Sequence, residues 1–363
     1  MESLVAINPL MADTFNYTKL GMVSFNQKKL LFGLINIEEP KFNPDDPKNS
    51  EYVLIMVKSF TCNYRDKGLL LYNYQRIQQM NKLFVPFGSE FVGVVAACGK
   101  NVKNLHIGDR VMPNCSYSEK STESGVATNF ASLAWQRIRV EKLIKAPDNL
   151  TDLEVACFSL GTQTAVSMIK KSGILKKSGK PIVFSSRSST SMFIIQYLMA
   201  YGKDPICISS SKWSSKEKET LLINNSKNLH NNIQNLHNAD YSCAFDPFFD
   251  INILDAIRTI NMNGTYVTCG FRDQHPVISE KSPYSSEALV RNALVESIVK
   301  NISIIGNCLG NTKDLVDGIK LTSKYNIKPI IDSVFNPRDG KQYIQRTFFD
   351  KKRFGKSILQ YVR

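Results

Sequence analysis

The spacing of apolar positions changes near residue 152 and divides the chain into two kinds of pattern. Before this point, residues 51–115 contain the runs EYVLIMVKSF and EFVGVVAACG, which are typical of β-strands and predict a β-rich unit. After it, apolar runs of strand length alternate with longer runs at helical spacing. This alternation predicts β-α-β units and therefore a parallel sheet.

One stretch of the second half, residues 179–212, predicts the start of a dinucleotide-binding fold. A strand at 181–184 leads through a tight loop to a helix at 192–201, and a second strand follows at 205–208. The loop contains no glycine and consists of Ser185, Ser186, Arg187, Ser188, Ser189, Thr190 and Ser191. It is either a cofactor site built from serine or a site that has been lost.

The elements around this stretch continue the same alternation. DLEVACFSLGTQTAVSMIKKSG predicts a helix pair, YSCAFDPF and TYVTCG predict strands, and ILDAIRTINMNG predicts a helix that ends at Gly264. The Asn-rich run at 223–238 predicts a loop or a frayed helix, and the segment after ISIIGNCLG predicts a helix, a strand, a helix and a last strand.

Length and composition allow two domains, because 363 residues with 43% hydrophobic content are enough for two cores. No apolar run of membrane-spanning length and no signal peptide is apparent. The eight cysteines are scattered without a C-x-x-C pair, which argues against a disulfide framework and against a Cys-rich zinc site. The expected location is the reducing cytoplasm.

The formal charge of +14 favours an acidic partner, such as a phosphate-bearing cofactor or an acidic peptide. The alternative is charge spread over the surface for solubility. No zinc finger, RNP-like strand or aromatic-basic stripe is present, so we expect no nucleic-acid partner, and we expect no membrane partner.

Seven segments together resemble the medium-chain dehydrogenase/reductase superfamily in order and spacing. They are NYRD (63–66), GSEFVGVVAACGKNVKNLHIGDRV (88–111), TNFASLAWQRIRVEKLIKAPDNLTDLEVA (128–156), GTQTA (161–165), GTYVTCG (264–270), ISIIGNCLGNTKDL (302–315) and FGKSIL (354–359). The resemblance implies an α/β fold with a GroES-like β-barrel catalytic domain at 1–158, an inserted Rossmann domain at 159–304, and a return segment of the catalytic domain at 305–363.

Zinc alcohol dehydrogenases of this superfamily hold a catalytic metal with two cysteines and a histidine. The matching positions here are Asn63, Ser89 and Leu160, none of which is a usual zinc ligand. Cys62 is adjacent to the first position, but in an extended segment its side chain would point to the opposite face. The four-cysteine lobe is also missing, since only Cys115 follows Pro113. We therefore expect no metal.

The zinc-free branch resembles quinone oxidoreductases and enoyl reductases, which reduce a carbon–carbon double bond conjugated to a carbonyl group. The resemblance implies Tyr64 as hydrogen-bond donor or acid and Asn63 as a residue that orients the carbonyl. Cys62, Ser89 and Cys115 are further substrate-binding candidates, although Cys115 also fits a passive strand thiol. We expect Asp66 to be a structural hydrogen-bond partner and assign no role to the four histidines.

Serine is the smallest substitute for the glycines of a phosphate-binding loop, and its hydroxyl can donate to phosphate, although its Cβ penalises a positive φ. We expect Ser185, Arg187, Ser188, Ser189 and Thr190 to contact the cofactor, with Arg187 in a bidentate phosphate contact. The second strand ends in a hydroxyl-rich run without an acid, which favours the 2′-phosphate of NADPH over NADH: Ser209, Ser210, Ser211 and Lys212. By resemblance, Thr164, Gly270 and Phe271 lie near the nicotinamide, and Lys356 contacts the pyrophosphate.

The leading substrate hypothesis is dehydroalanine in a lanthipeptide precursor, reduced to D-alanine. An acidic leader peptide would fit the positive charge. The alternatives are a small-molecule enone or quinone, an enoyl thioester, and a catalytically degraded member that acts as a binding or scaffold protein. The resemblance also implies a homodimer.

Overall fold

The computed structural model describes residues 1–25, 28–116, 125–221, 229–236, 240–271 and 287–361. The strands of these ranges are β1 (Glu2–Ile7), β2 (Thr18–Phe25), β3 (Lys28–Asn36), β4 (Tyr52–Thr61), β5 (Phe84–Val85), β6 (Glu90–Cys98), β7 (Arg110–Pro113), β8 (Trp135–Arg139), β9 (Leu143–Lys145), β10 (Lys180–Val183), β11 (Ile206–Ile208), β12 (Leu229–His230), β13 (Tyr241–Asp246), β14 (Thr265–Thr268), β15 (Ser303–Gly306), β16 (Ile331–Phe335) and β17 (Lys356–Gln360).

The α-helices of the same ranges are α1 (Tyr64–Gln79), α2 (Asp152–Val155), α3 (Ser159–Ser172), α4 (Ser189–Ala200), α5 (Ser215–Thr220), α6 (Phe249–Thr259), α7 (Glu287–Val299), α8 (Thr312–Tyr325) and α9 (Gly340–Phe348). Short 3-10 turns lie at Pro9–Thr14, Pro47–Asn49, Val140–Lys142, Ile174–Lys176, Ile233–Asn235 and Pro337–Asp339. Within the described ranges, none of the helices combines the length and the apolar character needed to cross a bilayer.

The described residues form two compact units. The first contains the described residues up to 160 and those from 331 onward, and the second contains 161–330. The division near 160 lies close to the predicted boundary at 158. The second boundary lies at 330/331 and differs from the predicted 304/305. Helix α8 packs against α4, so it belongs to the second unit. Tyr197 of α4 bonds Thr322 of α8 at 3.0 Å, and this buried contact fixes α8 to that unit.

The first unit is built mainly on antiparallel pairing, and only β16 and β17 among its described strands pair in parallel. One sheet has the strand order β2-β3-β1-β5, and a larger sheet has the order β16-β17-β4-β6-β7-β9, with β8 paired to β4. The GroES-like prediction is confirmed as a fold class. Among the described strands the large sheet does not close on itself, so the prediction of a barrel is corrected. In this sheet Leu359 of β17 is opposite Phe60 of β4, and Phe60 is also opposite Phe91 of β6. The end of β4 therefore lies beside the start of β6 and beside the last two residues of β17.

Helix α1 was not predicted, because residues 64–79 lie inside the segment that was interpreted as β-rich. The apolar residues Leu70, Leu71, Tyr74 and Ile77 recur at helical spacing, and all four are buried. A capping box begins the helix: Asn63 is the N-cap and Asp66 accepts a hydrogen bond from the Asn63 backbone N–H at 2.7 Å.

The second unit is a parallel sheet with the order β12-β11-β10-β13-β14-β15. Numbered from its own first strand, this is the order 3-2-1-4-5-6 of the Rossmann fold. The strand order reverses between β10 and β13, where ligands of such sheets bind at the carboxyl ends of the strands. The Rossmann prediction is therefore confirmed.

Glycines allow α3, α4 and α8 to pack closely in this unit. A Cβ on Gly161 of α3 would lie 2.4 Å from the Phe193 ring of α4, and one on Gly318 of α8 would lie 2.3 Å from Thr162 of α3. On the other side of the sheet, Ala256 and Ile257 of α6 belong to the buried core with Ile182 and Tyr266.

Candidate active site

The end of β10 carries the predicted loop, here called the serine loop (Ser185–Ser191), and its first residue adopts the conformation usually left to glycine. Ser185 has φ +45°. Its carbonyl oxygen accepts from the Ser188 backbone N–H at 2.8 Å, and the Ser186 N–H donates to the Ile208 carbonyl at the end of β11 at 2.8 Å. The chain therefore makes a tight turn without glycine, and Ser185 bears a Cβ penalty for it.

The serine loop leads directly into α4. Ser188 is the N-cap, and its hydroxyl accepts from the Ser191 N–H at 3.2 Å. The Ser191 hydroxyl donates to the Phe184 carbonyl at 2.9 Å, which ties the helix to the strand. Ser189 and Thr190 occupy the first turn and are half-buried. This turn presents backbone N–H groups and the positive end of the helix dipole, which favour an anion.

Arg187 is engaged within the unit. Its guanidinium forms a salt bridge with Glu217 of α5 and donates to the Lys212 carbonyl at 2.8 Å. Glu217 also closes the capping box of α5 by accepting from the Ser214 N–H at 2.8 Å. A bidentate phosphate contact through Arg187 would have to compete with this carboxylate.

The end of β11 keeps the predicted hydroxyl-rich run. Ser209 is buried, and its side chain bonds the backbone of Ser211 in a local turn. Ser210, Ser211 and Lys212 are exposed. This end of the strand therefore presents hydroxyl groups and one cation to solvent.

The remaining predicted nicotinamide contacts lie on two elements of the same unit. Thr164 is on α3 and 5% exposed. Gly270 and Phe271 follow β14, where the Gly270 carbonyl accepts from the Phe249 N–H at 3.1 Å. The Phe271 ring is exposed and makes an edge contact with Phe249.

Asp246, at the end of β13, is a buried carboxyl group that the sequence analysis did not assign. It accepts from the Tyr266 hydroxyl at 2.7 Å, from the Phe248 N–H at 2.9 Å and from the Asn252 amide at 2.9 Å. Burial raises the pKa of Asp246 to about 6, and the Asp250 carboxylate adds to the rise. The hydrogen bonds oppose this shift without cancelling it.

Replacement of Asp246 by Asn is expected to flatten the pH dependence of stability. Between the usual carboxyl pKa of 3.8 and about 6, the folded chain keeps a proton that the unfolded chain has released. The free energy of unfolding therefore falls as pH rises through this window, by up to about 3 kcal/mol from this group. Asn carries no charge; its Oδ1 can accept from the Phe248 N–H and from Asn252 Nδ2, and its Nδ2 can donate to the Tyr266 hydroxyl oxygen. Urea denaturation of both proteins from pH 4 to 7 checks this, and a constant difference between them would contradict it.

In the first unit, the three positions that match the family's zinc ligands lie around one buried carboxylate. We call this group the Glu90 cluster (Asn63, Asp66, Ser89, Glu90, Leu160 and Lys356). Glu90 Oε1 accepts from the Leu160 N–H in the first turn of α3 at 2.8 Å. Its Oε2 accepts from Asn63 Nδ2 at 3.2 Å and forms a salt bridge with Lys356 Nζ at 2.9 Å.

Asn63 is fully engaged in this cluster. Its Nδ2 donates to Ser89 Oγ and to Glu90, both at 3.2 Å, and its Oδ1 accepts from Lys356 Nζ. Ser89 donates to Asp66 Oδ2 at 2.7 Å, so Asp66 is the structural hydrogen-bond partner that was expected. The side chains of Glu90 and Lys356 are 0% and 5% exposed, so the cation and the carboxylate neutralise each other out of solvent.

The Lys356 ammonium thus already has two oxygen acceptors of its own unit. An ammonium group has three hydrogens, so the predicted contact between Lys356 and the pyrophosphate would have to use the third. Among the described residues, no group of three or more His, Cys, Asp and Glu side chains is arranged to hold a metal ion.

The cysteines and Tyr64 differ in their access to solvent. Cys62 and Cys115 are buried, and burial raises the pKa of both thiols, to about 12 for Cys115. Ser89 is also fully buried, so these three substrate-binding candidates are core groups. Tyr64 is half-buried at the first position of α1, with Lys67 Nζ 5.9 Å from its ring centroid.

Two of the buried carboxyl groups had a signal in the sequence. Glu90 begins and Asp246 ends an apolar strand, in SEFVGVV and CAFDPF. An acidic residue that adjoins such a run indicates a buried partner, because an unpaired buried carboxylate is costly. The partners themselves, Lys356 and Tyr266, are too distant in the chain to be found from the pattern.

Comparisons with known proteins agree with this architecture. Residues 49–147 match the family model described as the alcohol dehydrogenase GroES-like domain. The chain is similar to the acryloyl-coenzyme A reductase of Sulfurisphaera tokodaii, at 24% identity over 344 residues that cover 87% of this chain and 94% of that protein.

Two solved structures share the fold. A thermostable alcohol dehydrogenase from Pyrobaculum aerophilum has a TM-score of 0.71 at 18% identity and covers 99% of this chain and 100% of its own. The 2-octenoyl-CoA carboxylase reductase CinF from a Streptomyces species, in complex with NADP and 2-octenoyl-CoA, has a TM-score of 0.70 at 17% identity and covers 99% and 87%. Residues 49–147 therefore belong to the alcohol dehydrogenase GroES-like domain family, and the chain as a whole shares the fold of these relatives, with a GroES-like unit and a Rossmann unit.

Proposed function

We propose that this chain is an NADPH-dependent reductase of carbon–carbon double bonds conjugated to a carbonyl group. The observation that carries the proposal is the serine loop. Ser185 takes the left-handed turn at the switch point of the sheet, and the N-terminus of α4 follows it directly. Backbone conformations that are costly for a residue cluster at ligand-binding sites, so the turn of Ser185 supports a retained cofactor site.

The residues of the second unit fit a dinucleotide in three places. The first turn of α4, with Ser188, Ser189 and Thr190, would hold the pyrophosphate. Ser210 to Lys212 would hold the 2′-phosphate, since no carboxylate of β11 competes there and Glu217 is paired with Arg187. Thr164, Gly270 and Phe271 would line the nicotinamide. When bound, NADPH supplies the hydride that the β-carbon of the substrate accepts.

The chain's own task in this chemistry is to handle the charge and the proton. Hydride addition to the β-carbon moves the electron pair of the double bond toward the carbonyl oxygen, and the α-carbon then takes a proton. We propose Tyr64 as the group that donates to this oxygen. We give Asn63 a supporting role in this reaction, because both of its amide hydrogens are already donated to Ser89 and Glu90. Lys356 supplies the buried positive charge of the Glu90 cluster. We propose that the reaction proceeds without zinc.

The substrate class we favour is an enoyl thioester. The relatives compared above act, by their names, on acryloyl-coenzyme A and 2-octenoyl-CoA. The formal charge of +14 suits the phosphates of such a carrier. Dehydroalanine in a peptide shares the CH₂=C group conjugated to a carbonyl with acryloyl thioesters, so it remains the second candidate. We also propose a cytoplasmic location, since all eight cysteines are free thiols.

A binding titration followed by a substrate panel tests the proposal. NADPH is expected to bind with micromolar affinity and to raise the melting temperature, whereas NADH binds at least about tenfold more weakly. NADPH oxidation is then followed with acryloyl-CoA, 2-octenoyl-CoA, a dehydroalanine peptide and a quinone. Turnover of the thioesters supports the favoured class, and turnover of the peptide alone would replace it. Binding of neither dinucleotide would favour the scaffold alternative.

We further propose a homodimer formed through the edge of the parallel sheet. β15 is the last strand of that sheet among the described residues. Helix α7, which precedes it, exposes an apolar stripe whose members lie four residues apart: Val290, Leu294 and Ile298, with Val295 and Val299 beside them. A second copy placed by a two-fold axis would pair two β15 edges and cover both stripes, because such an interface is self-complementary.

Replacement of Ile298 by Glu is expected to convert this dimer into a monomer. Ile298 is 79% exposed, so the change leaves the core of each unit intact. Light scattering after size-exclusion chromatography measures the mass, and Tyr325→Glu, at an exposed residue of α8 in the same unit and outside the stripe, serves as the control. A parent protein that is already a monomer, or a dimer unaffected by the change, would contradict the proposed interface.

A further inference from the structure

The side chain of Asn252 connects the serine loop to the buried carboxyl group at the end of β13. Its Nδ2 donates to Ser185 Oγ at 3.1 Å and to Asp246 Oδ1 at 2.9 Å. An amide nitrogen has two hydrogens, and these two contacts use both of them. Asn252 lies on α6, so a helix outside the loop holds the residue on which the turn depends.

Asp246 determines which way the Asn252 amide points. Because a carboxylate accepts and does not donate, the amide has to present Nδ2 to Asp246 rather than Oδ1. The same nitrogen then faces Ser185. Tyr266 and the Phe248 N–H hold Asp246 from the other side, at 2.7 and 2.9 Å. The chain of contacts from Tyr266 to Ser185 thus lies entirely within the second unit.

The left-handed turn of Ser185 needs such support. A residue with a Cβ is disfavoured at φ +45°, whereas glycine is not. The bond from Asn252 is available to Ser185 and not to glycine, because glycine has no hydroxyl group. Serine and asparagine together therefore do what a single glycine does in a glycine-rich loop.

We propose that Asn252 is a positioning residue that holds Ser185 in the left-handed turn and thereby shapes the serine loop for the cofactor. The inference rests on the proposed function for its second half, the effect on NADPH. Its first half, the coupling of Asn252 to the Ser185 conformation, does not depend on that function and applies to the protein without cofactor. Asn252 itself has no contact with the dinucleotide in this proposal.

A double-mutant cycle with Ser185→Gly and Asn252→Ala tests both halves. In the protein without cofactor, Asn252→Ala is expected to lower the urea midpoint, and the loss is expected to be at least twofold smaller in the Ser185→Gly background. The cycle cancels the effects of glycine on the unfolded chain and of alanine on helix propensity. Asp255→Ala, an exposed change on the same helix, is the matched control and should not couple to Ser185→Gly.

The same four proteins are then titrated with NADPH. Asn252→Ala is expected to weaken binding about tenfold, and Ser185→Gly is expected to restore most of this loss in the double variant. A merely structural role for Asn252 predicts instead that the double variant binds as weakly as the single one. Additive effects in both measurements would overturn the inference. Coupling in the urea series without NADPH binding by any of the proteins would support the role of Asn252 in holding Ser185 and would refute the proposed function.

Discussion

Replacement of Ser189 by Asp is expected to weaken NADPH binding strongly while making the fold slightly more stable. Ser189 is the first residue of α4, at the turn where the proposal places the pyrophosphate. A carboxylate there would face two phosphate charges, and unit charges about 4 Å apart near a surface repel by about 4 kcal/mol. We therefore expect the affinity to fall by at least about 100-fold. The same carboxylate favours the helix dipole, so α4 itself gains stability.

The opposite signs of these two effects make the result specific. Dissociation constants for NADPH come from calorimetry, and stability comes from urea denaturation of the same samples. Thr312→Asp is the matched control, because Thr312 is the first residue of α8 and follows an Asn N-cap in the same unit. Equal affinity of Ser189→Asp and the parent would show that the phosphates do not bind at this helix.

Replacement of Lys356 by Met is expected to give the largest loss of stability in the first unit. It leaves Glu90 buried without its cation, and breaking a buried ion pair from one side costs about 3–5 kcal/mol. Such a loss is a large part of the free energy of unfolding of a typical domain. Thermal and urea denaturation measure it directly.

Two further variants identify the cause of that loss. Lys352→Met changes an exposed lysine of the same segment and is expected to have no effect beyond about 0.5 kcal/mol. Adding Glu90→Gln to Lys356→Met removes the orphaned charge and should recover part of the stability, since Gln still accepts from the Leu160 N–H. A Lys356→Met protein as stable as its parent would refute the ion pair as a stabilising contact.

The sequence was sufficient for the parallel sheet because its signals are local. Strand and helix runs alternate at their own periods from Lys180 onward. They correctly predicted β10, α4, β11, β13, α6 and β14, whereas α5, β12 and α7 were not predicted. Helix α1 was missed for a comparable reason. Its apolar residues recur at helical spacing, but it lies between two strong strand runs, which dominated the interpretation.

The Glu90 cluster shows where such reasoning ends. The family resemblance brought Asn63, Ser89 and Leu160 together as positions, and the structure places all three around Glu90. The ion pair between Lys356 and Glu90 was not predictable, because the two residues are 266 apart in the chain and meet only through strand pairing. In the serine loop the positive φ of Ser185 was foreseen as a difficulty. Its support by Asn252 needed the structure, since the two are 67 residues apart.

The interruption of the first unit by residues 161–330 bears on the order of events during synthesis. A ribosome adds about 5–20 residues per second, so β4 and β6 wait roughly 13 to 60 seconds before β17 emerges. Until then β4 lacks its pairing with β17, in which Phe60 is opposite Leu359. Glu90 likewise lacks its ion pair with Lys356. The parallel-sheet unit is complete in the nascent chain before its neighbour. The final strand therefore closes both the hydrogen-bond ladder and the charge balance of the first unit in one late step.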